Sequence, residues 1–177
     1  FQFEVLTCHF NDGRQLPERS QVSNGNAYIP APYGIYKTGE GYLSLAMGDI
    51  PKLALLLQCP PLETYTNKAE WFDRRDEIKG ILTLHLLTRT ADDWLSILQP
   101  ADIWCAKVMD YQDLMQQIGY KVLKMELKVK TSNGLSIRTT RCPLHVDGDI
   151  ARSELGAPLL GEHNGLIDAQ FGLNIVS

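Results

Sequence analysis

No run of apolar residues in this chain approaches the roughly 18 needed for a helix to span a bilayer. The longest, around Leu53 to Leu57, is only a few residues, which excludes a helical membrane span. No basic run is present either. The 17 Lys and Arg are outnumbered by 21 Asp and Glu, for a net charge of −4. A surface of that sign disfavours nonspecific binding to nucleic acid or to anionic membranes. Cysteine is sparse: Cys8, Cys59, Cys105 and Cys142 are far apart and form no Cys-x-x-Cys pair. Local turns therefore cannot present a zinc ligand set, and no metal is expected. Two disulfides are arithmetically possible, but reduced, half-buried thiols in a cytoplasmic protein are the expectation. The start, Phe1 to Val5, lacks a basic stretch and an initiator Met. It does not read as a signal peptide; it reads as a chain entered in mid-helix, as in a fragment. There is no internal repeat and no low-complexity tract.

What is there suits a globular chain. Its 177 residues are 44% hydrophobic, enough to bury a core. Phe3, Leu6 and Phe10 recur at helical spacing, and Asn11-Asp12-Gly13 stops that helix. Residues 14–32, with Pro17, Gly25, Pro30 and Pro32, have linker composition and mark a boundary. Ile35 to Met47 predicts a β-hairpin that turns at Lys37 to Gly41. Asp49 caps a helix through about Gln58, with Pro51 in its first turn, and Pro60-Pro61 ends it. Lys68 to Leu87 predicts one or two helices with Trp71, Ile78, Ile81, Leu82 and Leu86 inward, and Arg74 and Arg75 away from that face. Thr90 caps a further helix, with Asp92 and Asp93 at its positive end, Trp94, Leu95 and Leu98 buried, and Pro100 closing it.

Ile103 to Val108 predicts a short strand, and Asp110 to Ile118 a short helix stopped by Gly119. Leu123 to Val129 alternates as a half-buried strand does. Ser132-Asn133-Gly134 turns it back into Leu135 to Thr140. Residues 143–158 read as loop, and Leu160 to Phe171 as a final helix.

Three segments carry a family likeness. They are Tyr33-Gly34-Ile35-Tyr36-Lys37-Thr38-Gly39-Glu40-Gly41-Tyr42-Leu43; Thr88-Arg89-Thr90-Ala91-Asp92-Asp93-Trp94-Leu95-Ser96-Ile97-Leu98, followed by Cys105-Ala106-Lys107-Val108; and Ala157-Pro158-Leu159-Leu160-Gly161-Glu162-His163-Asn164. In this order and spacing they resemble the C-terminal half of the family III CoA-transferases, the CaiB/BaiF family. Its members include formyl-CoA transferases, carnitine CoA-transferases and α-methylacyl-CoA racemases. The resemblance implies an α/β chain whose small domain is α+β, with helices beside short antiparallel strands and hairpins. It implies that residues 1–26 end a large-domain helix and its linker, that 27–108 form the small domain, and that 109–177 return through a second linker to pack on the large domain. In such proteins two chains interlock as a homodimer.

The same resemblance implies that coenzyme A moves between an acyl-CoA and a carboxylic acid through an aspartyl-CoA thioester. No tightly bound cofactor is implied; the CoA thioester is substrate. The nucleophilic aspartate belongs to the N-terminal half of the family, and no segment of these 177 residues matches it. No catalytic residue is therefore expected here, and the chain alone should not turn over. Alternatives are a racemase of the same fold, or a noncatalytic interaction module. Departures exist: Trp104 precedes Cys105 where the family commonly has Pro, and Lys107 replaces a second Pro. Residues 30–41 offer only Gly34, Gly39 and Gly41 where some formyl-CoA transferases carry a glycine-rich lid.

Individual residues read modestly. Asp92, Asp93, Asp110 and Asp113 fit helix caps or solvated faces better than a nucleophile. Glu162 and His163 fit a helix start better than an acid–base pair. Cys105 reads as an inert buried thiol. His9 and His85 lack a second His one turn away, so metal binding is not expected. Tyr33, Gly34 and Tyr36 are the candidate contacts for an acyl group, because an aromatic beside a glycine makes a loop that a ligand can approach closely.

Overall fold

The fold is taken from a computed structural model that describes residues 2–22 and 26–173, without the side chains of residues 2–4. The side chain of Phe3 and the linker residues Ser23, Asn24 and Gly25 lie outside the described residues. The chain divides into two compact units, Phe1–Val108 and Met109–Ser177.

The first unit opens with helix α1, Gln2–Asn11. It ends where Gly13 and Arg14 take φ of 83° and 62°, the left-handed region that suits a helix stop. A linker without regular structure follows. The hairpin comes next: β1, Gly34–Lys37, pairs antiparallel with β2, Tyr42–Leu45, which pairs in turn with β3, Cys105–Lys107. Alternation sends Tyr36, Leu43 and Leu45 into the core and leaves Ile35 and Tyr42 outside.

Helix α2, Ile50–Leu57, starts as expected. The Asp49 carboxylate accepts the Lys52 N–H at 2.9 Å. Gln58, at φ 53°, closes the helix, and Pro60 and Pro61 then begin a tight 3-10 turn, Pro60–Leu62. A second such turn, Lys68–Glu70, precedes α3, Arg75–Leu86. Helix α4, Ala91–Leu98, has a reciprocal cap: Thr90 Oγ1 accepts the Asp93 N–H at 3.1 Å, and the Asp93 carboxylate accepts the Thr90 N–H at 3.1 Å. Leu53, Leu62, Ile78, Leu82, Leu86, Trp94 and Leu98 are all sealed in one core between the helices and the sheet. Each such side chain contributes roughly 1.5–3 kcal/mol by leaving water.

Three expectations are corrected. Arg75 is buried, because its position lies on the same stripe of α3 as Ile78, Lys79, Leu82 and Leu86. The predicted strand 103–108 shortens to β3, since Asp102 at φ 58° turns the chain just before it. The four thiols are unpaired as expected, but only Cys105 is half-buried; Cys59 is buried, and Cys8 and Cys142 are exposed.

The second unit begins with α5, Tyr111–Gln116, capped by the Asp110 carboxylate, which accepts the Asp113 N–H at 2.8 Å. Gly119 does not stop this helix. The break falls at Gln117, whose ψ of 142° is extended, and a new helix α6, Ile118–Leu123, carries Gly119 within it. Strand β4 therefore starts late, at Glu126–Lys130, after Lys124 at φ 46° ends α6. It pairs antiparallel with β5, Ser136–Thr140, through the predicted turn, where Gly134 has φ 86°.

The expected loop holds a small hairpin. Strands β6, His145–Val146, and β7, Asp149–Ile150, join at Asp147-Gly148, both at positive φ. Asp-Gly is the residue pair such a turn demands. Helix α7, Asn164–Phe171, starts four residues later than expected, after Gly161 has turned the chain at φ 77°. Among the described residues of this unit only Val129 and Arg141 are fully buried.

Candidate functional site

The candidate ligand contacts sit at the start of the hairpin. Tyr33 is half-exposed and its N–H reaches Pro30 O at 3.3 Å. Gly34 is buried opposite Leu45. Tyr36 is 2% exposed and its hydroxyl donates to Pro32 O at 2.6 Å. Burial pushes that phenol far above its ordinary value. Tyr36 thus holds the base of the hairpin as part of the core, and Tyr33 is the member of the trio that is not buried.

The turn of the same hairpin is tied to the corner between α3 and α4. Gly39 N–H donates to Arg89 O at 2.7 Å, and Ala91 N–H donates to Glu40 O at 3.2 Å. A β-carbon on Gly39 would lie 3.0 Å from Arg89 O, so close an approach needs glycine. Thr38 Oγ1, buried, reaches Glu40 O at 2.6 Å. Two of the three family-like segments therefore meet, Gly34 to Leu43 and Thr88 to Leu98. Trp94 anchors the second: it is 1% exposed, its indole N–H donates to Leu86 O at 2.9 Å, and it lies 5.5 Å from the His85 ring and 5.1 Å from the Arg89 guanidinium.

The third segment lies in the second unit. Gly156 packs so tightly on Lys130 that a β-carbon would sit 2.9 Å from Lys130 O. That requirement is invisible in the order of residues alone. Gly156 and Ala157 also line a groove of about 560 Å³ with Leu127, Val129 and Ile137. Buried Arg141 lines this groove, and its guanidinium donates to Leu123 O, Lys124 O and Cys142 O.

The acidic side chains mostly serve the helices. Asp93 and Asp110 are caps, and Asp92 forms an exposed ion pair with Lys107 at 2.9 Å. Glu162 accepts the Leu159 N–H at 2.6 Å and the Ser132 hydroxyl at 3.0 Å. Those bonds, the backbone one first, hold its carboxyl below the ordinary range. His163 occupies the cap position of α7 without a capping bond from its side chain.

Burial pushes the Cys105 thiol up, away from the reactive thiolate. His85 Nε2 lies 2.8 Å from Leu57 O, and His9 Nδ1 lies 2.9 Å from Gln15 O. Among the described residues no three His, Cys, Asp or Glu gather where they could hold a metal ion. No helix among them is long and apolar enough to cross a membrane.

Sequence reasoning missed one polar group of note: fully buried Lys79, with Asp76 and Ser20 beside it. The i, i+3 relation of residue 79 to Leu82, and its i, i+7 relation to Leu86, was the available signal.

Helices beside short antiparallel strands define a mixed α/β module of the kind seen in CaiB/BaiF proteins. A CaiB/BaiF family protein from Brucella suis aligns with a TM-score of 0.58 at 20% identity, over 94% of this chain and 43% of that one. The orthorhombic crystal form of Rv3272 from Mycobacterium tuberculosis aligns with a TM-score of 0.57 at 22% identity, over 78% of this chain and 40% of that one. A single-residue variant of Rv3272 reaches 0.60 at 20% identity, over 93% of this chain and 44% of that one. These likenesses show the fold, and the chain spans less than half the length of each of those structures. No curated protein matches it. The sequence pattern of CoA-transferase family III matches residues 4–164, and the chain belongs to that family.

Proposed function

We propose that this chain forms the C-terminal portion of an enzyme that moves coenzyme A from an acyl-CoA to a carboxylic acid. The observation that carries the reading is the family match over residues 4–164. In this proposal residues 27–108 are the small domain, and residues 109–177 return to pack on a large domain. The exposed apolar side chains Leu159, Leu160, Leu166 and Phe171 support such packing, since an uncovered apolar patch marks an interaction surface. The complete protein is an interlocked cytoplasmic homodimer, and its substrates are the acyl-CoA and the acceptor acid.

The nucleophile is an aspartate outside these 177 residues. Its carboxylate attacks the thioester carbonyl and CoA leaves as thiolate. The thiolate then attacks the activated aspartyl carbonyl, releases the donor acid and leaves an aspartyl-CoA thioester. The acceptor acid takes the CoA from that thioester by the reverse sequence. The chain's own share is to present Tyr33 beside Gly34 against the acyl group, while Tyr36 holds the hairpin from inside. The alignments over 40–44% of those longer solved chains support a longer protein of which this is one part.

The test compares CoA transfer by the purified 177-residue chain with transfer by the natural polypeptide, whose intact mass is measured first. Transfer by the longer polypeptide and none by this chain is expected. Transfer by the 177 residues alone overturns the placement of the nucleophile. Deuterium uptake at the α-carbon of an acyl-CoA, without transfer, replaces the proposal with racemase chemistry.

A further inference from the structure

The first part of the linker that leaves α1, residues 14–22, has no buried apolar anchor. Between residues 14 and 22 the apolar side chains are Leu16, Pro17 and Val22; Leu16 is 91% exposed, Pro17 is exposed and Val22 is half-buried. What holds residues 18–21 is polar, and it comes from one face at the start of α3. Arg75 Nη2 donates to Glu18 O at 3.0 Å. The Asp76 carboxylate accepts the Ser20 hydroxyl at 2.5 Å and the Gln21 N–H at 3.0 Å on the same oxygen. One turn on, Lys79 Nζ donates to Ser20 Oγ at 3.4 Å. Positions 75, 76 and 79 share a helix face, so three consecutive points of the linker meet three adjacent side chains.

The clasp has an opposing cost. Lys79 is 0% exposed, and its ammonium, which has three donors, makes one long bond among the described residues, to a hydroxyl. A buried charge so poorly served is expensive. Asp76 returns part of that cost by attraction, and Arg75 adds to it by repulsion. Lifting residues 18–22 would let water reach Lys79. The bonds of Asp76 and Arg75 therefore favour the closed strap, and the hydration of Lys79 favours the open one.

We propose that residues 18–22 are a latch, closed on α3 by Asp76 and Arg75 and driven toward opening by Lys79. The latch sets how residues 5–17 join the rest of the first unit. It is a property of this chain and does not depend on the transferase reading.

Limited proteolysis of the 177-residue protein with trypsin tests it. The Arg19–Ser20 bond lies inside the latch. The Arg14–Gln15 bond lies outside it and is the internal control. When opening and closing are fast, cleavage follows the open population. Asp76→Ala should raise the ratio of Arg19 to Arg14 cleavage by about tenfold, as loss of a charge-assisted bond predicts. Ser20→Ala should raise it in the same direction. Lys79→Met should lower the ratio below wild type, because it removes the drive to open.

Circular dichroism at the digestion temperature checks that each variant is folded. If Asp76→Ala is not, Ser20→Ala and Lys79→Met carry the decision. An unchanged ratio in the folded loosening variants, or a raised ratio in Lys79→Met, overturns the latch.

Discussion

Replacing Trp94 tests the corner on which the two joined family-like segments depend. The indole is 1% exposed and donates to Leu86 O at 2.9 Å. Two losses are separable. Trp94→Phe keeps an aromatic ring in the core but removes the donor. The Leu86 carbonyl is then left without that partner, which costs roughly 1–3 kcal/mol. The smaller ring also leaves some empty space, so about 2–3 kcal/mol is expected in all. Trp94→Ala removes the ring and leaves a larger cavity, for about 3–5 kcal/mol.

The assay is urea unfolding followed by tryptophan fluorescence. All three tryptophans, Trp71, Trp94 and Trp104, precede residue 109, so the signal reports the first unit. Trp71, at 6% exposure, remains as a buried probe in both variants. Both midpoints should fall at an unchanged slope, with Ala below Phe. A Phe variant within about 0.5 kcal/mol of wild type would refute the reasoning, because one unpaired buried carbonyl should cost more than that.

Other predictions concern the same unit. Gly39→Ala should destabilise by about 1–3 kcal/mol, since its β-carbon meets Arg89 O at 3.0 Å and overpacking against backbone is costly; the check is the same titration. Asp93 titrates below its ordinary value, because the Thr90 hydroxyl and N–H donate to its carboxylate. Its contribution is fully present above the unfolded-state pKa of 3.8 and is lost as pH falls through the lower folded value. The acid side of the melting-temperature profile should therefore be shallower in Asp93→Asn than in wild type. A maleimide reagent at neutral pH should label Cys8 and Cys142 promptly and Cys59 only on unfolding. Cys59 is 1% exposed and its thiol is pushed up by burial, so prompt labelling of Cys59 would contradict the core described here.

Legibility in the sequence followed locality. Asp49, Thr90 and Asp110 announced their helices because a cap is a contact between neighbours three residues apart. The turns at residues 37–41 and 132–134 were legible for the same reason. The break at Gln117 was not, because a glycine two residues later looked like the natural stop and proved to lie within a helix. Arg75 and Lys79 were misread or missed because charge outweighed position: they lie on the buried stripe of α3, and what lies over them is a linker distant in sequence. Gly156 was unreadable because its constraint comes from Lys130. For the candidate site, the motif Tyr33-Gly34-Ile35-Tyr36 was visible as a motif, while the assignment of Tyr36 to the core depended on which face of β1 turned inward.

The junction between the hairpin turn and the α3–α4 corner has a consequence for inheritance. Both of its bonds, Gly39 N–H to Arg89 O and Ala91 N–H to Glu40 O, join backbone to backbone. A joint of that kind places no demand on the identity of Glu40, whose side chain is exposed and free to drift. The demand falls on Gly39, through the space it leaves empty. Among descendants of this gene, position 39 should stand still while position 40 wanders, although the two are neighbours in the same turn.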